Sequence, residues 1–321
     1  MSARRLAALI VVLALVLGES ACESSDPGGT SLPVPPVTSS AAPAIDPARR
    51  AAFDEQARAD LAADVRGRVE DAVRAFGKNE VPLRVESGLF VLVGAERGVP
   101  FDAAADLAQR ALDVYLGSFF ARRPDRAVTV YVVRSAAAFQ ALCDARFPSG
   151  CERDLGAYSR QTREIIVNVG PGLPSITHEL VHPLVQTDFP RAPGWFEEGL
   201  AALFEKPVFE PAGEIHGATN WRQESLVAAL ASPAKRGKVH LPALFALSDA
   251  SLDTADQDLS YAMARAFCQW LDEHGQLWPF YRAWRDGVAE DPRGEKSFAQ
   301  VTGMTPAQAD GPWLEWVKAA R

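Results

Sequence analysis

A chain of 321 residues, 48% of them hydrophobic, can bury one large core or two smaller ones, which excludes disorder throughout. The net charge is -8, and lysines and arginines are scattered among acids with no basic run, which excludes the electrostatic footprint of a nucleic-acid surface. No nucleic-acid partner is therefore expected.

The chain opens with "MSARR" and then "LAALIVVLALVLG", Leu6 to Gly18, thirteen uncharged and mostly apolar residues. A membrane-spanning helix needs about 20 such residues, so residues 1–21 read as a signal peptide and the protein as exported. The following "ESAC" resembles the lipobox of bacterial lipoproteins, with Cys22 as the lipid-bearing residue and Glu19 standing where leucine is usual. That resemblance implies a membrane partner through a lipid anchor at the bacterial cell envelope, periplasmic or outer-membrane; cleavage without lipidation would release a secreted protein. Glu23 to Asp46 holds fourteen Pro, Gly, Ser or Thr in twenty-four positions, so residues 22–46 read as a flexible tether. Asp46 followed by Pro47 is a cap and a first-turn proline, and the folded part, 47–321, is expected to start there.

Phe53, Leu61, Val65, Val69, Val73 and Phe76 recur at helical spacing in a long first helix, with Gly67 as a point of breakage and Gly77 as its stop. "PLRV" and "GLFVLVGA" read as strands, "DAAADLAQRALDVYLGSFFARR" as a helix, "AVTVYVVRS" as a buried strand and "AAAFQALCDARF" as a helix. "GAYS" and "REIIVNVG" read as a hairpin around "RQT", delivering the chain to a helix that starts at Pro174. Beyond residue 204 the periods are helical and strand signals almost vanish. The expected fold class is α+β, with a mixed α/β lobe and small sheet over roughly 47–190 and a mostly helical lobe over 191–321. An oxidising compartment would permit a disulfide between Cys143 and Cys151, which flank "DARFPSG"; two free thiols are the alternative. Cys268, in an apolar helical pattern, reads as a small buried hydrophobe.

The chemistry concentrates in "SITHELVHPLVQTDFPRAPGWFEEGLA", Ser175 to Ala201. His178 and His182 are four residues apart, so on a helix both imidazoles leave one face and can share a zinc ion. Glu179 lies beside them, placed to take a proton from zinc-activated water. Pro183 removes the N–H that would bond to the Glu179 carbonyl, and a kink is expected just after His182. A third ligand is sought on the helix that Phe196, Leu200, Leu203 and Phe204 define. Glu197 and Glu198 point about 100° apart there, and spacing alone leaves the choice open. The plainer reading is a polar histidine pair and a solvated helix start.

"HELVH" followed by "WFEEGLA" resembles the gluzincin metallopeptidases, and more narrowly the bacterial peptidase MA-like domains, with "YAMARAFCQWLDEHG" and "LEWV" similar to their later helices. The resemblance implies a zincin-like fold with the active site where the lobes meet. It implies Zn2+ held by His178, His182 and Glu198, with Glu179 as general base and a peptide or protein as substrate. Ala202 occupies the place of a carboxylate that orients a ligand in some gluzincins, leaving Asp188 or Glu205 as substitutes. For the oxyanion donor the candidate is Tyr261, with His216, His240 and Tyr158 behind it, and zinc acting alone as the further alternative. His274 beside Gly275 reads as a helix C-terminal charge, and the tryptophans 270, 278, 284, 313 and 316 read as core. Two alternatives to an exported zinc peptidase stand: a non-catalytic envelope binding module of the same fold, and a zinc hydrolase of a non-peptide amide or ester. Substrate specificity and oligomeric state have no signal in the chain.

Overall fold

The computed structural model describes residues 47–321, apart from 78–80, 152–154, 212, 250–255 and 320–321. The expected signal peptide, tether and lipid-bearing Cys22 lie outside the described residues. The apolar runs become strands β2 (Phe90–Gly94) and β3 (Val128–Val133), buried along their whole length as strands covered on both faces must be. With β5 (Glu164–Asn168) they form the parallel centre of a five-stranded sheet ordered β1-β2-β3-β5-β4. Strands β1 (Leu83–Glu86) and β4 (Gly156–Ser159) close the two edges antiparallel to their neighbours.

Parallel neighbours need crossovers, and helices α2 (Phe101–Val114) and α3 (Ala136–Arg146) supply them. Strand alternation then divides the interior. Leu92, Val130 and Val132 join a large core with α2 and the later helices, while Val93, Tyr131 and Ile166 face Phe139 of α3 and Ala72 of α1 (Pro47–Phe76). Helix α1 runs through Gly67 without the expected break, because that glycine faces open space and nothing forces a bend. Helix α2 ends sooner than expected, in a single π-helical turn, Tyr115–Phe119.

The motif region forms α4 (Pro174–Glu179), α5 (Val181–Asp188) and α6 (Gly194–Leu203). A small hairpin, β6 (Pro207–Phe209) and β7 (Ile215–Gly217), follows; the sequence reading missed it. Then come α7 (Trp221–Ala231), α8 (Leu241–Phe245), α9 (Gln257–Glu273), α10 (Leu277–Gly287), α11 (Glu295–Thr302) and α12 (Pro306–Ala319). Helix α11 was also missed, since its apolar contribution is only Phe298 in the core and Val301 packed against it, and it is bracketed by left-handed Gly294 and Gly303. The fold is mixed α+β with the sheet in the first part and helices in the second, as expected from the chain.

Helix α9 is buried without interruption from Leu259 to Asp272 and packs chiefly on α6. Gly199 makes that approach feasible: a Cβ there would stand 2.8 Å from the Ala264 backbone. Buried Arg265 of α9 donates to the Ala202 carbonyl at 3.1 Å and also to the Ala218 carbonyl, tying the end of α6 to the residue that follows β7. Trp270, Trp284 and Trp313 are core residues, with Trp278 and Trp316 packed against that core. Cys143 and Cys151 are joined in a disulfide, and Cys268 is buried and free. No described helix is long and apolar enough to cross a membrane.

Candidate metal centre

The motif helix breaks because of the proline, but two residues earlier than expected. Pro183 is the third residue of α5, inside the first turn where a missing N–H costs nothing, and its ring would clash with the carbonyl four residues back, that of Glu179. The discontinuity therefore falls at Leu180, between α4 and α5, and not after His182. Leu180 keeps helical angles, φ -65° and ψ -22°, so both imidazoles still leave the same side. Thr177 donates to the Phe204 carbonyl at 2.6 Å, fixing α4 against the end of α6.

One atom each from His178, His182 and Glu198 lies within 4.8 Å of the others. His178 Nε2 and Glu198 Oε2 are 3.4 Å apart, the edge length of a tetrahedron whose metal–ligand bonds are about 2.1 Å. Rotation about α6 separates the two acids that spacing left together: Glu198 lies in this group, while Glu197 Oε1 lies 2.9 Å from His182 Nδ1. Gln186 donates to the same Glu197 oxygen at 3.2 Å. With Nδ1–H donated to Glu197, His182 keeps its Nε2 lone pair for the centre.

His178 is held by a longer contact. Its Nδ1 faces Glu205 Oε1 at 3.5 Å, outside good hydrogen-bond geometry, and has no hydrogen-bond partner among the described residues. Glu205 itself is fixed firmly: Arg222 Nε and Nη2 donate to its two oxygens at 3.0 and 2.8 Å, and Asn220 adds a bond of 2.9 Å. Of the two acids considered as substitutes at this position, Glu205 stands at the site. Asp188 does not, because it accepts from the Arg122 backbone and pairs with Arg285.

The electrostatics ask for a cation. Glu179, Glu197, Glu198 and Glu205 surround two imidazoles with Arg222 as the cation in direct contact, so neutral histidines would leave a local charge of about -3. In the metal-free protein protons answer that demand. Burial opposes charge on His178, yet its contacts with Glu198 and Glu205 outweigh burial and raise its pKa to about 10. His182 rises to about 8 in the same way, against burial, chiefly through Glu197. Burial pushes Glu205 upward, but His178 and Arg222 prevail and hold it at about 2. A divalent ion would replace the imidazole protons, and two nitrogens with one carboxylate form a donor set that suits zinc and other first-row ions.

Glu179 is 6% exposed, with Oε2 3.9 Å from His182 Nε2. Its carboxylate occupies the space that a side chain at residue 156 would fill: a Cβ on Gly156 would collide with it. A cleft of about 460 Å³ opens above these groups, walled by β4, by the disulfide loop at Phe147, Gly150 and Cys151, and by Tyr261 of α9. Tyr158 lines it too, its ring parallel to that of His182 with centroids 6.4 Å apart. Burial, and then Glu197, raise the Tyr158 pKa, so its hydroxyl keeps its proton and can donate. Two of the four oxyanion candidates are thus in the cleft. The others are elsewhere: His216 pairs with Asp272 and Glu214, and His240 caps α8. His274 Nδ1 bonds to the Trp270 carbonyl at the end of α9, the helix-terminal role expected of it.

Sequence reasoning missed Arg222, Asn220 and Gly156. None carries a local signal, since each matters only through a residue of another element. No family model matches the chain, and no curated protein is similar to it in sequence.

Proposed function

We propose that the chain is an exported zinc-dependent peptidase of the gluzincin kind, in which His178, His182 and Glu198 hold the metal and Glu179 is the general base. The observation that supports this reading is the convergence of two imidazoles and one carboxylate, with Glu205 and Glu197 behind the imidazoles and a further carboxylate beside them in an open cleft. When bound, zinc supplies a Lewis acid for the scissile carbonyl and lowers the pKa of water toward 7. Glu179 takes the proton of the attacking water and passes it to the departing nitrogen. Glu197 and Glu205 keep the imidazole planes in place, and the hydroxyl of Tyr261 or Tyr158 donates to the developing oxyanion. Peptide is the substrate class this machinery suits. The arginine-led apolar segment and Cys22 support export with a lipid anchor at the cell envelope.

Metal analysis of the purified protein, with peptide-cleavage assays of wild type and Glu179→Gln, tests the proposal. The expected result is about one zinc per chain in both proteins and cleavage by wild type alone. A protein that takes up no metal overturns the reading. Metal-loaded wild type that cleaves no peptide leaves the non-catalytic binding module in its place.

A further inference from the structure

The metal centre has an excess of carboxylates; at the foot of strands β3 and β5 the imbalance is the opposite. Thr129 and Tyr131 are two residues apart on β3 and so point to one face of the sheet, the face covered by α1 and α3. With Arg68 of α1, Arg146 at the end of α3 and Glu164 at the start of β5, they line a cavity of about 230 Å³. The exposed pair Arg74 and Asp71 adds to its lining from α1.

Acceptors are scarce inside this cavity. Glu164 Oε1 is the common partner of three donors: Arg146 Nη1 at 3.2 Å, the Tyr131 hydroxyl at 3.3 Å and Arg68 Nη1 at 3.5 Å. None comes as close as the 2.7–2.9 Å or so usual for a charged pair, because one oxygen cannot receive all three at short range. Arg68 has a further acceptor in the Thr162 carbonyl at 2.8 Å, whereas Arg146 lays its guanidinium over the Tyr131 ring, 4.2 Å from the centroid. Burial, and then Glu164, raise the Tyr131 pKa, so its hydroxyl stays a donor. The hydroxyl of Thr129, a residue 1% exposed, has no hydrogen-bond partner among the described residues. Buried polar groups are rarely left so, and this one lies in the same cavity wall. Charge points the same way. Arg68 and Arg146 keep 15% and 23% of their side-chain surface in water, and two such guanidiniums on one buried carboxylate leave a charge of about +1.

We infer that this cavity is a binding site for a small tetrahedral oxyanion of the phosphate or sulfate class, held between Arg68 and Arg146 with Thr129 donating from the strand. Such an ion supplies what the cavity lacks, a negative charge and several acceptor oxygens, and guanidinium forks match its geometry. The donors come from three elements, α1, α3 and β3, which suits a tetrahedral group better than a planar one. Because Thr129 and Glu164 are buried, the occupant is a free ion and not the headgroup layer of a membrane. Bound there, the ion joins α1 to α3, so its signature is stability. The inference is independent of the peptidase reading.

Isothermal titration of inorganic phosphate and of sulfate into the purified full chain, with thermal midpoints in parallel, tests the site. The expected result is about one ion per chain and a midpoint raised by about 3–5 °C at ten times the dissociation constant, with chloride or acetate at equal ionic strength leaving it in place. Arg146→Met weakens binding at least about tenfold, and Thr129→Val, which keeps the shape of the side chain, about threefold. Glu198→Gln, in the metal centre, binds phosphate as wild type does, which separates this site from an ion on the metal. Midpoints without phosphate show which variants fold, and the two substitutions in the cavity report independently. Absence of heat and of a midpoint shift in wild type overturns the inference. So does phosphate binding unchanged in a folded cavity variant, or binding lost in Glu198→Gln and kept in Arg146→Met.

Discussion

His182 Nδ1 stands 2.9 Å from Glu197 Oε1, while Glu198, the next residue, sends its carboxylate to His178 Nε2. Consecutive helical positions point about 100° apart, and that rotation gives the two neighbouring acids of α6 different partners. Glu198→Gln is expected to remove the metal. Glu197→Gln is expected to keep one metal per chain with affinity weakened about 10–100-fold, as for other groups that orient a ligand. Competition against a zinc chelator measures both; the opposite pattern would make Glu197 the ligand.

Glu179→Gln preserves the shape of the site and removes its base, so turnover should fall about 10²–10⁴-fold with zinc retained. Gly156→Ala attacks the same group from outside, by crowding the Glu179 carboxylate from edge strand β4. Turnover should drop there as well, with metal content unchanged. If Gly156→Ala is as active as wild type, Glu179 has freedom that the packing denies.

Arg222→Leu leaves Glu205 buried beside His178 with its forked guanidinium partner gone. Stranding a buried charge in this way costs about 3–5 kcal/mol. Chemical denaturation should therefore show a much larger loss for Arg222→Leu than for the double replacement Glu205→Gln with Arg222→Leu. Equal losses would mean that Glu205 finds water once Arg222 is removed.

Acid should loosen α1 from the sheet. Asp64 is partly buried, which raises its pKa, but Arg163 at 2.6 Å and the Ala127 amide at 2.8 Å outweigh burial and bring it below its usual 3.8. A depressed carboxylate contributes stability above its unfolded value, and the contribution fades as pH falls through 3.8 and below. The pair is partly exposed, Arg163 by 33% and Asp64 by 16%, and is worth about 0.5–1 kcal/mol. Asp64→Asn should be less stable than wild type at pH 7, with the difference closing as the pH falls below 4; a gap that stays constant would assign the loss to something other than charge.

Much of the scaffold is legible in the chain because period and burial act locally. The β-branched run of β3 and the 3.6-residue spacing of α9 state their own secondary structure. The histidine pair is legible for the same reason, being one helix turn. Glu197 and Glu198 are not separable from spacing, since the rotation of α6 is set by its packing on α9 through Gly199, a contact between residues 65 positions apart. Arg222 is silent for a related reason. Its meaning depends on Glu205, which the hairpin β6–β7 brings back beside it, and that hairpin is too short to announce itself.

The ring closed by Cys143 and Cys151 has its far half, Phe147 to Cys151, as a wall of the cleft. The outline of the cavity is thus coupled to the redox potential of its surroundings. A freshly made chain in a reducing compartment has that wall untied, and oxidation completes it. Thiol reductants added during purification would open the same ring, so preparations handled with and without them are chemically different proteins at the mouth of the cleft.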